Sequence, residues 1–176
     1  MMVYIYTPPA IIRQTAFNFV RAFDTRDAFD ISDGLGIKVY MRNDFGKLKG
    51  MYSNYLGDRS IHVNANDTKE EQNMYCGHEL GHDTFHKLIT DNFMDMDFFN
   101  RDRTEYEADL FDAHLLLDEE EILDLAASEY SLDQIAAAMN TYRELLLIKL
   151  DDMNQRGLPV RAAYAPLMNF WTTRYR

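Results

Sequence analysis

Apolar positions recur at helical spacing just behind a proline pair. After Pro8 and Pro9, the residues Ile12, Ala16, Phe19, Val20 and Phe23 fall on one stripe and predict an amphipathic helix over 10–23. A shorter helix is expected over 27–35, closing at Gly34 or Gly36. The pattern then changes to that of strands. The runs 37–42, 48–56 and 60–64 are short, and Asp44-Phe45-Gly46 and Gly57-Asp58 supply turn chemistry between them. The arrangement they predict is a small antiparallel three-stranded meander, whose edge offers main-chain hydrogen bonds to an extended peptide.

Helical spacing then returns. Asp67, with Glu70 three residues on, has the form of a capping box, and the helix it opens should run to about residue 89. The stretch 91–102 mixes acids with Phe93, Met94, Met96, Phe98 and Phe99 without a clean period, and reads as a loop or short helical turn. From 103 to 117, the positions Ala108, Leu110, Phe111, Leu115 and Leu116 predict a second long helix. Three more helices are expected over 119–129, 132–139 and 142–154. Ser131 with Gln134 and Thr141 with Glu144 open the last two as capping boxes, and Gly157 and Pro159 stop the final one. The chain thus divides into a core over 1–118, a helical C-terminal subdomain over 119–158, and a basic, aromatic tail over 159–176. The fold class is α+β.

Composition narrows the partners. The chain of 176 residues is long enough to bury a real core, and its formal charge of minus 11 fits a basic protein partner better than nucleic acid. Two short capped helices in succession resemble a helix-turn-helix, but 119–157 holds nine acids against three bases and would be repelled by phosphate. A single cysteine, Cys76, excludes an internal disulfide framework and suits a reducing cytosol. No apolar run approaches membrane-spanning length, so the expected location is cytoplasmic, with no membrane partner.

The chemistry lies in His78-Glu79-Leu80-Gly81-His82, mid-helix. Histidines four apart turn to one face, within reach of a single zinc ion; a catalytic zinc keeps a water in its fourth position, and Glu79 can act as general base to that water. A third protein ligand is then required, and the next long helix offers Glu105 and Asp109 on one face. Glu105 suits the ligand role, and Asp109, a turn later, suits accepting the other ring N–H of a ligand histidine. Glu107 lies about 200° around that helix from Glu105 and should point away from the metal. His86 sits too far along its own helix to complete a tetrahedron; capping the helix end, lining a cleft and facing solvent are its alternatives. Leu88 stands where a metzincin would need histidine. His62 and His114 lack ligand spacing, and Cys76 reads as a small buried hydrophobe.

Taken together, these residues resemble the ImmA/IrrE metallopeptidases. The likeness rests on His78 to His82 followed by Arg103-x-Glu105-Tyr106-Glu107-Ala108-Asp109-x-Phe111 and Leu115-Leu116-Leu117. It extends upstream to 35–40, to Lys49-Gly50-Met51-Tyr52 and to Asn64, and covers about residues 10–155. The resemblance implies a gluzincin-like fold, in which the sheet packs on the HExxH helix and the second ligand helix. It implies zinc held by His78, His82 and Glu105, Glu79 as the base, and Asp109 supporting a ligand histidine. It also implies a phage, prophage or mobile-element protein whose substrate is a helix-turn-helix repressor. A non-proteolytic anti-repressor or binding module with structural zinc is the competing reading. Asp112 departs from the family, where a small alanine commonly follows the motif phenylalanine, and is expected to face solvent. Tyr52, Tyr55, Tyr75, His62 and His86 are candidates by type for stabilising the transition state.

Overall fold

The computed structural model describes residues 6–86 and 98–160, which fall into two compact units divided after Leu116. The first unit begins with α1 (Pro9–Phe23), whose proline start needs no N–H donor and whose buried Ile12 and Ala16 lie on the predicted stripe. Phe19 of α1 meets Phe111 edge-on at 5.8 Å between ring centroids. A left-handed Asp24 (φ 53°) ends the helix. Next, α2 (Ala28–Gly34) is capped by Asp27, whose carboxylate accepts the N–H groups of Phe29 and Asp30.

Three strands follow: β1 (Lys38–Arg42), β2 (Gly50–Tyr55) and β3 (Asp58–Asn64). The sheet is mixed, with order β1-β3-β2; β3 is antiparallel to β2 and parallel to β1. This corrects the expected antiparallel meander. Only the β2–β3 connection is a tight hairpin, with Leu56 (φ 53°) and Gly57 (φ 87°) both in the left-handed region that suits strand twist. The longer link over 43–49 instead crosses the end of β3. The buried Asn64 side chain fastens it there, donating to Leu48 O at 2.9 Å and Gly46 O at 3.2 Å. The most buried strand, with Ile61 and Val63 fully buried, takes the centre, and β1 and β2 become the edges.

The next helix, α3 (Lys69–Phe85), is capped by Thr68 with Glu71, one residue later than predicted. Glu71 accepts the Thr68 N–H at 2.8 Å, while Gln72 ties down the Asp67 carbonyl at 2.7 Å and keeps Asp67 outside the helix. His86 occupies the C-cap, and the expected end near 89 lies outside the described residues. Helix α4 (Phe98–Leu116) starts before the predicted 103, so 98–102 are helical; the rest of the expected 91–102 loop lies outside the described residues. Helices α3 and α4 pack closely: a Cβ on Gly81 would stand 3.0 Å from Ala108 Cα.

In the second unit, α5 (Glu119–Ala127), α6 (Leu132–Ala138) and α7 (Arg143–Gln155) bury Ile122, Ile135, Leu146 and Leu150. The Ser131–Gln134 capping box is present; α7 instead takes Tyr142, not Thr141, as its N-cap, without a side-chain cap bond from it. Arg156 pairs with Asp152 at 2.8 Å and with Glu119. Among the described residues no helix is long and apolar enough to cross a membrane. The 159–176 tail falls mostly outside the described residues.

Candidate metal centre

Helix α3 carries His78 and His82 one turn apart on the side facing α4, which brings Glu105 and Asp109, also one turn apart, to meet them. Donor atoms of His78, His82 and Glu105 all lie within 4.8 Å of one another. His78 Nε2 is 3.1 Å from His82 Nε2 and 3.3 Å from Glu105 Oε2, and His82 Nε2 is 3.6 Å from Glu105 Oε1. Two imidazole nitrogens and a carboxylate oxygen converging this closely are the donor chemistry of a divalent transition-metal site.

Behind the donors, Asp109 Oδ1 lies 2.7 Å from His78 Nδ1. An ionised carboxylate can only accept, so His78 carries a hydrogen on Nδ1 and Nε2 is the nitrogen turned to the pocket. Burial opposes a charge on His78, but Asp109 and Glu105 outweigh it and raise its pKa well above the usual histidine range. His82 is pushed down to about 3, chiefly by burial and then by a charged His78. Burial alone would raise the pKa of Glu105, yet the hydrogen bond from His78 leaves it lowered. A cation would meet His82 neutral with its lone pair free, beside Glu105 held ionised, and would take the place of the second proton on His78.

Glu79 follows His78 but turns toward the sheet. Its carboxylate rests against Gly50 at the start of β2, where a Cβ would stand 2.8 Å from Oε1, and it accepts the backbone N–H of Tyr52. In the β2–β3 ladder, Asn64 N–H donates to Lys49 O, so by alternation Gly50, Tyr52 and Asn54 turn their main-chain groups to the edge that no other described strand pairs. Glu79 therefore sits on that edge. Burial pushes its pKa up to about 7, with nearby His78 pulling the other way. A carboxylate poised there is suited to take and return a proton near neutrality.

Several side chains depart from expectation. His86 is 2% exposed, neither lining a cleft nor facing solvent; its Nδ1 lies 2.9 Å from His82 Nδ1 and its Nε2 lies 3.3 Å from Glu107 Oε2. Glu107 does turn away from the three donors, but into the core, where it is fully buried. The signal was available, since Thr104, Glu107, Ala108 and Phe111 follow the i, i+3, i+4, i+7 stripe of a core-facing helix, on which an acid demands a partner. Asp112 is 2% exposed rather than facing solvent, because it tucks against Gly77, where a Cβ would stand 2.0 Å from Oδ1. Cys76 is fully buried, 3.6 Å from Ser32 Oγ. Of the candidates by type for transition-state stabilisation, His62 stacks on Tyr40 at 5.2 Å, Tyr75 lies under Lys49, and Tyr55 is largely exposed.

Comparison with known proteins gives the same arrangement a family. Residues 33–151 match the model described as an IrrE N-terminal-like domain, peptidase M78. The chain is 27% identical over 143 residues to the uncharacterized immunity region protein 2 of Bacillus phage phi105, covering 81% of this chain and 90% of that protein. It is 26% identical over 142 residues to metallopeptidase ImmA of Bacillus subtilis strain 168, covering 79% and 83%. With a family match over most of its length, enclosing all the converging donors, the chain belongs to the ImmA/IrrE family of metallopeptidases.

Proposed function

We propose that this protein is a zinc-dependent, gluzincin-like endopeptidase of a phage, prophage or mobile element, and that it cleaves a helix-turn-helix transcriptional repressor. The observation that carries the reading is the convergence of His78, His82 and Glu105 beside a carboxylate, Glu79, lodged on the open edge of β2. A zinc ion held by those three residues would polarise a peptide carbonyl and make water a better nucleophile. The chain's own residues do the rest. Main-chain groups of Gly50 and Asn54 align an extended substrate along the edge, on either side of the Tyr52 N–H that Glu79 holds. Glu79 takes a proton from the attacking water and delivers it to the departing amine, while Asp109 holds His78 in its ligand tautomer. Support for the substrate class comes from the immunity-region relative of a phage, and a net charge of minus 11 favours a basic target.

The test is Glu79→Gln in the full chain. It should retain one equivalent of zinc and leave a co-expressed repressor uncut and repressing. Cleavage by a zinc-loaded Glu79→Gln protein would overturn the mechanism. Derepression with the repressor intact by mass spectrometry would instead identify a non-proteolytic anti-repressor.

A further inference from the structure

The two ligand histidines are supported differently, and the difference assigns work to a buried pair outside the donor set. His78 has a carboxylate directly on its Nδ1, whereas His82 has another imidazole there, that of His86, and only beyond it a carboxylate, that of Glu107. We propose that His86 and Glu107 are positioning residues, which fix the tautomer of His82 so that its Nε2 lone pair is directed at the metal pocket. The inference rests on the metal-centre reading and deepens it.

Proton order along the row follows from donor and acceptor capacity. Where the Glu107 carboxyl accepts from a neutral His86, the His86 hydrogen lies on Nε2 and its Nδ1 carries a lone pair. That lone pair can only accept, so the His82 hydrogen lies on Nδ1, leaving Nε2 bare. The opposite order would place a hydrogen on His82 Nε2, 3.1 Å from His78 Nε2, and close that atom to a cation. Geometry explains why an imidazole is interposed. Glu107 projects from α4 about 200° away from Glu105, so it reaches His82 only through a side chain lying between. Bulk water does not reach the row, since His86 is 2% exposed and Glu107 fully buried. The far end is anchored as well: the Thr7 backbone N–H donates to Glu107 Oε1 at 3.2 Å, leaving Oε2 for His86.

The experiment uses the full chain with His86→Phe, His86→Gln and Glu107→Gln. Zinc affinity is read by chelator competition, and the His82 tautomer by ring nitrogen NMR on zinc-free protein. Loss of such support typically weakens metal binding 10–100-fold, and a drop of about that size is expected for His86→Phe, with His82 shifting toward the Nε2–H form. His86→Gln should recover most of the affinity, because its amide oxygen accepts from His82 while its NH2 donates to Glu107. Glu107→Gln, whose amide can either accept or donate, should populate both His82 tautomers. Affinity within twofold of wild type in folded His86→Phe, or His82 keeping its Nδ1 hydrogen there, would overturn the proposal. If His86→Phe does not fold, an unmixed His82 tautomer in Glu107→Gln does the same. Failure of the wild-type protein to bind zinc would instead count against the metal-centre reading, and the tautomer measurement would still decide the row.

Discussion

Asp112 is an acid in a place built for something neutral. It is 2% exposed, it lies against Gly77, and burial raises its pKa well above the ordinary 3.8, with Asp109 adding to the effect and His78 opposing it. The sign for stability follows from which state holds the proton. Below about pH 4 both folded and unfolded chains are protonated; above it the unfolded chain ionises first, so stability falls as pH rises toward the raised folded value. The slope across that window is roughly 1.4 kcal/mol per pH unit. Asp112→Asn removes the titration, so in zinc-free protein its melting temperature should exceed wild type at pH 7 and the gap should narrow toward pH 4. A constant gap across that range would show that Asp112 does not titrate with folding. Neighbouring letters suggested an exposed Asp112, since periodicity places it one step beyond Phe111; what the sequence hides is the missing side chain of Gly77, which opens room on the other helix.

Among the elements, two glycines set the distances on which the site depends. Gly81 lets α3 and α4 meet at backbone contact, so Gly81→Ala must part the helices by a few tenths of an ångström. The substitution gains about 1 kcal/mol of intrinsic helix propensity, yet zinc affinity by chelator competition should fall while far-ultraviolet circular dichroism stays at or above wild type. Gly50 makes room for Glu79, and Gly50→Ala should displace that carboxylate, lowering kcat at least tenfold while leaving zinc stoichiometry at one. Helix α1 was legible because its proline start and apolar stripe are local signals, and the start of α3 was legible to within one residue of its cap. Sheet order was not, because pairing of β1 with β3 across an intervening β2 is decided by distant residues, among them Asn64. The pairing of donors His78, His82 and Glu105 could be anticipated from spacing on two helices. The role of His86 could not, because it depends on Glu107, whose partner lies 21 residues away in sequence.

For the whole molecule, every residue of the proposed site belongs to the first unit, and the metal would join α3 to α4 across the chain between them. A ligand that binds only the folded state stabilises it by mass action, by about 4 kcal/mol at a thousandfold excess over Kd. The melting temperature should therefore climb with free zinc, and Glu105→Gln should flatten that response; a melting curve indifferent to zinc would argue that the donors do not act together. In the second unit, Arg156 is tied to Glu119 and Asp152, and none of its described residues is among the converging donors. One consequence of β2 lying at the sheet's edge concerns selection of targets. A strand edge matches N–H and C=O groups of whatever lies along it and is nearly blind to sequence, but it rejects any segment whose own groups are already paired. If the proposed function holds, what β2 would select is conformation: a linker able to straighten would be open to attack, and a target would be protected for as long as that linker stays folded.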